Sequence, residues 1–295
     1  MDFIENKGGL LRTNSGVKEI LMNASNNKAI GVRLESGEVM KGKTIVSGIG
    51  IRATFTKLLP EQSIPFDMKE LLRAYKNSVS YAQLFAGLKD DPSTIPGIDG
   101  SNYWFSSATK FPESIKELQS AKDNSLEVKS VMLTFPSLKD RAATSHTLTI
   151  CAWLNYGFFK KWAETNSQLR PDDYDAMKSK LKAALLKPVL DRFPQLEDLI
   201  EYTTVGTPLT AEHYMGHEQG SAYGLTSPPG RYKDDRLRPK TAIDGLLLTG
   251  ADIATSGVPG AFASGVFCAS ALLNKNMTTA LLKLDKEQYG EACLL

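Results

Sequence analysis

The stretch of the sequence best suited to chemistry runs Gly245-Leu-Leu-Leu-Thr-Gly-Ala-Asp-Ile-Ala-Thr-Ser-Gly-Val-Pro-Gly-Ala-Phe-Ala-Ser-Gly265. Leu246–Thr249 reads as a short apolar strand that ends at Gly250. Asp252 follows two residues later, where a carboxylate can accept hydrogen bonds from the hydroxyls of a sugar or a ribitol chain. Gly257 and Gly260 allow close backbone approach. Pro259 is expected at the first position of the following helix, where a proline leaves no intrahelical hydrogen bond unmade. The free amides of that first turn and the positive end of the helix dipole favour negative charge. A flavin ring, whose pyrimidine side becomes anionic on reduction, meets this demand, and the helix end would stabilise the reduced form by about 0.3–2 kcal/mol. The same residues describe equally well a plain strand, turn and helix with a capping aspartate.

Other constellations carry less. His213 and His217 are four apart, beside Glu212 and Glu218, but Gly216 lies between them, no third ligand is evident and the order is not that of H-E-x-x-H. No metal is expected. Cys151, Cys268 and Cys293 are odd in number and widely spaced, without C-x-x-C. No G-x-S-x-G or cysteine–histidine arrangement supports nucleophilic catalysis. Ser47-Gly48-Ile-Gly50-Ile-Arg-Ala53 gives an isolated G-x-G-x-x-A, read as a turn. Arg231–Lys240 carries five basic and two acidic residues and reads as a solvated loop. The aromatic runs Tyr103-Trp104-Phe105 and Trp153–Phe159 suit either an apolar tunnel or ordinary core packing, and core is expected for most of them.

These residues must be held by an α/β frame. The chain has 295 residues and a net charge of +2, so no global basic field points to nucleic acid. No stretch reaches the ~18 uncharged apolar residues of a membrane span, and Val258–Leu273 reads as a buried helix. Met1-Asp-Phe-Ile-Glu is no signal peptide. A cytoplasmic or peripheral-membrane location is expected. Residues 1–7 read as the end of a helix stopped by Gly8-Gly9, which suggests a truncated domain. Val17–Leu21, Ala29–Leu34 and Val39–Val46 read as an antiparallel meander, with Arg52–Leu59 a short helix. Residues 61–239 differ in texture: strand-like Val79–Leu88, Val131–Phe135 and Leu148–Leu154 alternate with helices, the longest over Asp172–Arg192. The chain therefore divides into 1–60 with 240–295, and 61–239.

Residues 245–273, with an apolar strand, G-x-D, a glycine, then G-A at a helix start, resemble the C-terminal flavin-binding motif of the phytoene desaturase and retinol saturase group. Asp173-Tyr-Asp-Ala-Met-Lys178, Phe193-Pro-Gln-Leu-Glu197, Gly206-Thr-Pro-Leu-Thr210, Gly220-Ser-Ala-Tyr-Gly224 and Phe135-Pro-Ser-Leu-Lys-Asp140 resemble the retinol saturase branch more specifically. The resemblance implies a partial FAD/NAD(P)-binding domain of the flavin amine oxidase type, α/β with an α+β substrate region over 61–239, lacking the N-terminal Rossmann βαβ unit and its G-x-G-x-x-G. It implies FAD as cofactor, bound weakly without that half. Asp252 would bond the ribitol, and Gly250 would pass near the pyrophosphate. Val258, Pro259, Gly260 and Ala261 would place backbone at the pyrimidine edge, and Val17 would meet adenine, although a core strand role for Val17 is nearly as well supported. The implied activity is reduction of C=C bonds of a retinoid or carotenoid polyene, with Tyr214 and Tyr223 as weak candidates for the proton donor. The implied partners are an apolar isoprenoid substrate, a peripheral membrane contact and a complementing N-terminal fragment. Two further readings stand beside it: a catalytically silent fragment or partner-dependent subunit, and a carotenoid desaturase or isomerase.

Overall fold

A computed structural model describes residues 2–106, 126, 128, 130–166 and 169–289 of the chain. Cys293 lies outside the described residues. The chain forms two compact units, one of residues 1–76 and 223–295, the other of 77–222. Residues 61–76 and 223–239 therefore pack with the first unit, a correction to the boundaries at 60 and 240. The physical reason is Leu71, Leu225 and Leu237, which join one apolar cluster with Ile51, Phe55 and Leu246.

The first unit opens with α1 (Asp2–Asn6), stopped at Gly8 with φ 81°. The meander β1 (Val17–Met22), β2 (Ala29–Leu34) and β3 (Val39–Lys41) follows, antiparallel with Val32 opposite Ile20 and Met40. Asn26 and Gly37 make the turns at positive φ. The third expected strand is in fact two. Its second piece, β4 (Ile45–Ser47), leaves the meander and pairs in parallel with the distant β10 (Leu246–Leu248). Two helices, α2 (Ile51–Lys57) and α3 (Phe66–Ala74), come next, the second of them unread in the sequence. After β10 the unit ends in α7 (Gly257–Leu273) and α8 (Met277–Tyr289).

The second unit is an antiparallel sheet in the order β6-β7-β8-β5-β9. Its strands are β5 (Ser80–Leu88), β6 (Tyr103–Ser106), β7 (Ser130–Thr134), β8 (His146–Leu154) and β9 (Ile200–Gly206). Burial alternates along β5 and β8 with period two, as a sheet covered on one face requires. Ala82, Leu84, Leu148, Ile150 and Leu133 enter a core closed by α4 (Asp172–Arg192), through Leu181, Leu185 and Val189. Between α4 and β9 lies the single turn α5 (Leu196–Leu199). The helix after β9, α6 (Pro208–Met215), begins with a reciprocal capping box between Thr207 and Thr210. The buried Tyr174 hydroxyl lies 2.9 Å from Thr207 Oγ1, tying α4 to that cap.

In the first unit a polar knot fixes α3 to the loop before β10. Arg236 donates to both oxygens of Asp234 at 2.8 and 2.6 Å, and the Tyr75 hydroxyl donates to Asp234 Oδ2 at 3.0 Å. The Arg236 hydrogen bonds hold the Asp234 carboxyl down at about 2. A carboxylate lowered by folding stabilises the fold above its unfolded pKa, and that contribution is lost as pH falls through the folded value. Acid should therefore weaken the first unit between about pH 4 and pH 2. Asp234→Asn should lower stability at neutral pH and flatten this acid limb; urea midpoints measured across that range check it, and an unchanged acid slope would contradict the assignment.

Candidate functional site

The segment from β10 into α7 is a tight strand, turn and helix. All three residues of β10 are buried. Gly250 takes φ 98° and its amide donates to Ser264 Oγ at 2.7 Å, while Ser264 Oγ donates to the Ala261 carbonyl at 2.6 Å. Ser264 is fully buried and straps the helix to the end of the strand. Gly260 is required because a Cβ there would overlap the Thr255 carbonyl oxygen. The helix begins at Gly257 with Ser256 as N-cap, so Pro259 is its third residue rather than its first. No intrahelical bond is lost by this shift, because the first four amides of a helix have no acceptor within it.

That terminus is open. Ser256 makes no side-chain capping bond to the helix, and its hydroxyl instead lies 3.1 Å from Ser227 Oγ. Val258 is 83% exposed, with Pro259 and Ala261 exposed beside it. Among the described residues no side-chain hydrogen bond caps the first turn of this 17-residue helix, whose dipole end is positive. The helix as a whole is not the buried helix expected from its composition. Gly260, Ser264 and Cys268 are its buried residues, and Phe262 and Phe267 are exposed.

Asp252, expected to bond a ribitol, is held by the chain itself. Its side chain is buried; Oδ2 accepts from the Ile51 amide at 2.9 Å and Oδ1 from the Leu225 amide at 2.9 Å. The guanidinium of Arg231 lies 3.6 Å from Oδ1, itself 2% exposed. Arg231 donates to the carbonyls of Leu225, Ala251 and Asp252 and to Ser227 Oγ. The carboxylate is thus an internal cap that joins these two amides. Arg231, placed by the sequence in a solvated loop, is the residue that sequence reasoning missed. No local signal marks it, because its partners are backbone carbonyls.

The same carboxylate explains the G-x-G-x-x-A. The strand β4 does lead through Gly48 and Gly50 into α2, so the turn has the shape of a phosphate-binding loop. Its helix terminus is already filled, because the Ile51 amide is taken by Asp252. Gly50 has φ 95° and Gly224 φ 66°, and a Cβ on Gly224 would overlap Asp252 Oδ1. These glycines make room for the carboxylate. The residues present thus offer an open helix terminus at α7, while both oxygens of Asp252 already accept from backbone amides.

The remaining expected residues are scattered. Val17 begins the edge strand β1, 38% exposed, opposite Leu34. Tyr214 is 80% exposed on α6, with its ring edge-on to His213 at 4.8 Å; Tyr223 is the first residue after the second unit. Gly216 ends α6 between His213 and His217, and His217 Nδ1 pairs with the Ser221 carbonyl at 2.9 Å. Glu212 accepts from the Tyr156 hydroxyl at 2.7 Å and from the Gln219 amide, so it serves neither histidine. Burial, and then Glu212, push the Tyr156 phenol upward, keeping it a donor.

The second unit contributes a surface that the sequence had left divided between tunnel and core. Period-two alternation sends Tyr103 and Phe105 into the core and Trp104 to the opposite face. On that outer face, pairing sets Trp153 against Tyr81, Cys151 against Gln83 and Met132, and Thr204 against Phe85. Trp104 is 57% and Phe85 42% exposed. Burial pushes the Cys151 thiol up to about 11, so it stays neutral on this largely apolar face.

Asp252→Asn tests the internal cap. An amide cannot accept from both Ile51 and Leu225 and leaves Arg231 without its counter-charge, so the loss should be about 3–5 kcal/mol. Denaturant unfolding without added flavin measures it. A variant as stable as the parent would overturn the internal cap.

No family model matches the chain. It is 29% identical over 302 residues to the all-trans-retinol 13,14-reductase of Danio rerio, covering 96% of this chain and 49% of that protein. It is 28% identical over 306 residues to a protein of the same fish named as an inactive all-trans-retinol 13,14-reductase, again covering 96% and 49%. The prolycopene isomerase of Arabidopsis thaliana is 26% identical over 267 residues, covering 89% and 41%. The chain spans about half the length of these curated relatives. Among solved structures, an oxidoreductase from Methanosarcina mazei matches with TM-score 0.51 at 14% identity, covering 92% of this chain and 51% of that one. A putrescine oxidase bound to putrescine matches with TM-score 0.56 at 13% identity, covering 89% and 49%. The mixed α/β fold is thus shared with about half of these oxidase structures, and by sequence the chain is a relative of the retinol 13,14-reductases and prolycopene isomerases, the phytoene desaturase-like group that its motifs resemble.

Proposed function

We propose that the chain is the ring-edge and substrate portion of an FAD-dependent oxidoreductase that reduces a C=C bond of a retinoid- or carotenoid-like polyene. The observation that carries this reading is the uncapped, glycine-rich N-terminus of α7, open to the outside in a chain related to retinol 13,14-reductases. Backbone of Val258, Gly260 and Ala261 would lie at the pyrimidine edge, and Pro259 removes one competing donor from that turn. Gly250 would pass near the pyrophosphate and Val17 near adenine. FAD, when bound, supplies the hydride chemistry. The protein's own contribution at α7 is a fixed positive dipole end that favours the anionic reduced ring by about 0.3–2 kcal/mol.

The apolar outer face of the second unit supports the polyene assignment. Trp104, Trp153, Tyr81, Phe85 and Met132 offer flat and polarisable groups to a conjugated chain. Tyr214 and Tyr223 remain weak candidates for the proton donor.

A second reading is favoured by specific observations. Asp252 is occupied internally, and a relative of equal similarity is named inactive. On this reading the chain alone binds FAD weakly and requires a complementing N-terminal half, or is catalytically silent. Similarity to prolycopene isomerases keeps desaturation or isomerisation as the remaining reaction. Product analysis with all-trans-retinol and prolycopene separates these outcomes, and turnover of neither by a flavin-loaded preparation would sink the leading reading.

Two substitutions test the parts. Val258→Asp places a carboxylate at the open helix terminus. It should raise stability by about 0.3–1 kcal/mol while weakening flavin binding roughly tenfold, because it occupies the favourable field. Titration of flavin fluorescence together with thermal unfolding reads both signs. Trp104→Ala should leave stability within about 0.5 kcal/mol, as for other exposed positions, yet reduce quenching of protein fluorescence by added retinol. Unchanged quenching would remove Trp104 from the substrate surface.

A further inference from the structure

A groove of about 750 Å³ lies between the second half of α7, the turn into α8 and the loop that precedes β10. Small-molecule sites fall in this range of size, and they combine apolar walls with a few placed polar groups. Ile253, Pro239, Phe267 and Ala271 form apolar walls here, and Arg238, Lys240 and Lys275 supply three cations. No aspartate or glutamate lines the groove. Lys240 and Lys275 make no ion pair among the described residues. Arg238 pairs with Asp235 at 3.0 Å, but that carboxylate is 93% exposed and stands outside the lining, so it neutralises little. On a chain whose net charge is +2, this is a local excess of one sign over an apolar floor.

Both sides of the groove are fixed through backbone. On the loop side the Pro239 carbonyl accepts from the Leu248 amide at 2.8 Å, and Lys240 bridges to Leu247. On the helix side Asn274 turns the chain at φ 49°. The Ser270 carbonyl accepts from the Lys275 amide at 3.2 Å, and Ser270 Oγ accepts from the Met277 amide at 3.1 Å. A site held in this way orders little further backbone when it binds. Helix dipoles do not set its sign. The negative end of α7 and the positive end of α8 meet at this groove, each worth about half a charge, and they oppose one another. Three whole cations remain.

We propose that this groove binds a free amphiphilic anion, a single apolar chain that ends in a carboxylate or a phosphate ester. The walls take the chain and the cations take the head. A neutral isoprenoid alcohol leaves the two lysines without a partner, and a bare inorganic anion leaves Phe267 and Ile253 in water, so both parts of the ligand are needed. This is a further site. Lys275 follows the last turn of α7, roughly 25 Å along the helix from Val258 by its rise per residue, so a head held there does not reach the ring edge proposed above. The proposal does not rest on flavin binding.

Isothermal titration calorimetry of the 295-residue chain, without flavin, tests it. The probes are decanoate, decyl phosphate, decanol and inorganic phosphate, each below its aggregation concentration. Decanoate and decyl phosphate should bind at one site per chain, with decanol and inorganic phosphate roughly tenfold weaker or more. Lys240→Glu with Lys275→Glu should weaken both amphiphilic anions roughly tenfold or more while leaving decanol unchanged. Ala271→Trp, which fills the groove, should weaken all three chain-bearing probes. Lys240 and Lys275 are exposed and Ala271 is half-buried, so circular dichroism and the unfolding midpoint should match the parent. Lys240→Gln with Lys275→Gln repeats the test without charge reversal should the first pair fail to fold. Equal affinity for decanol overturns the proposal, as does undiminished decanoate binding in the lysine and Ala271 variants. So does binding seen only with phosphatidylserine vesicles, which would make these cations part of a membrane surface. So does loss of decanoate binding in Trp104→Ala alone, which would move the chain to the outer face of the second unit. Groove binding in a preparation that turns over no retinol would leave this site standing while the function proposed above falls.

Discussion

One buried carboxylate organises the first unit. Asp252 reaches from the turn after β10 to the first amide of α2, 201 positions earlier in the chain, and to the amide of Leu225, 27 positions earlier. Two parallel strands end at this point, and the two turns leaving them are held in register by one side chain. A buried charge must be matched, and Arg231 does so while donating to five further acceptors around it. Gly50 and Gly224 are glycines because the carboxylate stands against them. The pair is strong in consequence rather than in net energy: breaking it leaves an uncompensated charge.

This constraint divides the two helix termini at the strand ends into one filled and one open. Both α2 and α7 follow a strand through a glycine turn, and both present a positive dipole end. The protein supplies the anion for α2 from within. Among the described residues no side chain caps α7, whose N-cap serine turns its hydroxyl toward Ser227. The ring edge proposed above is therefore assigned to the open end and not to the filled one. Motif matching alone would have placed it at Gly48–Gly50.

How much of this was legible depends on the range of each interaction. The strand–turn–helix over 245–273 was readable, because apolar run, glycine and proline act within a few residues. The meander was readable to Leu34, and its third strand was misread because nothing local announces that β4 pairs with β10 two hundred residues away. The period-two pattern gave β5 and β8, yet β6 and β9 were not read as strands, since Trp104 and Tyr202 place bulky groups on an outer face where polar ones are usual. The direction of the Asp252 side chain could not be read at all. Its partners are backbone amides, which leave no residue-type signature, and the same holds for Arg231.

The misreading of α7 as a buried helix is the most instructive, because the inference from composition was physically sound. Seventeen uncharged residues do belong under cover. The stripe Gly260, Ser264, Cys268 is narrow and small, spaced four apart, and it suits close approach to β10 on one side. Bulky Val258, Phe262 and Phe267 lie outside that stripe and are exposed. A sequence shaped only by the contacts present would carry lysine or glutamate at those positions. The residues retained are those of a helix covered on more than one side.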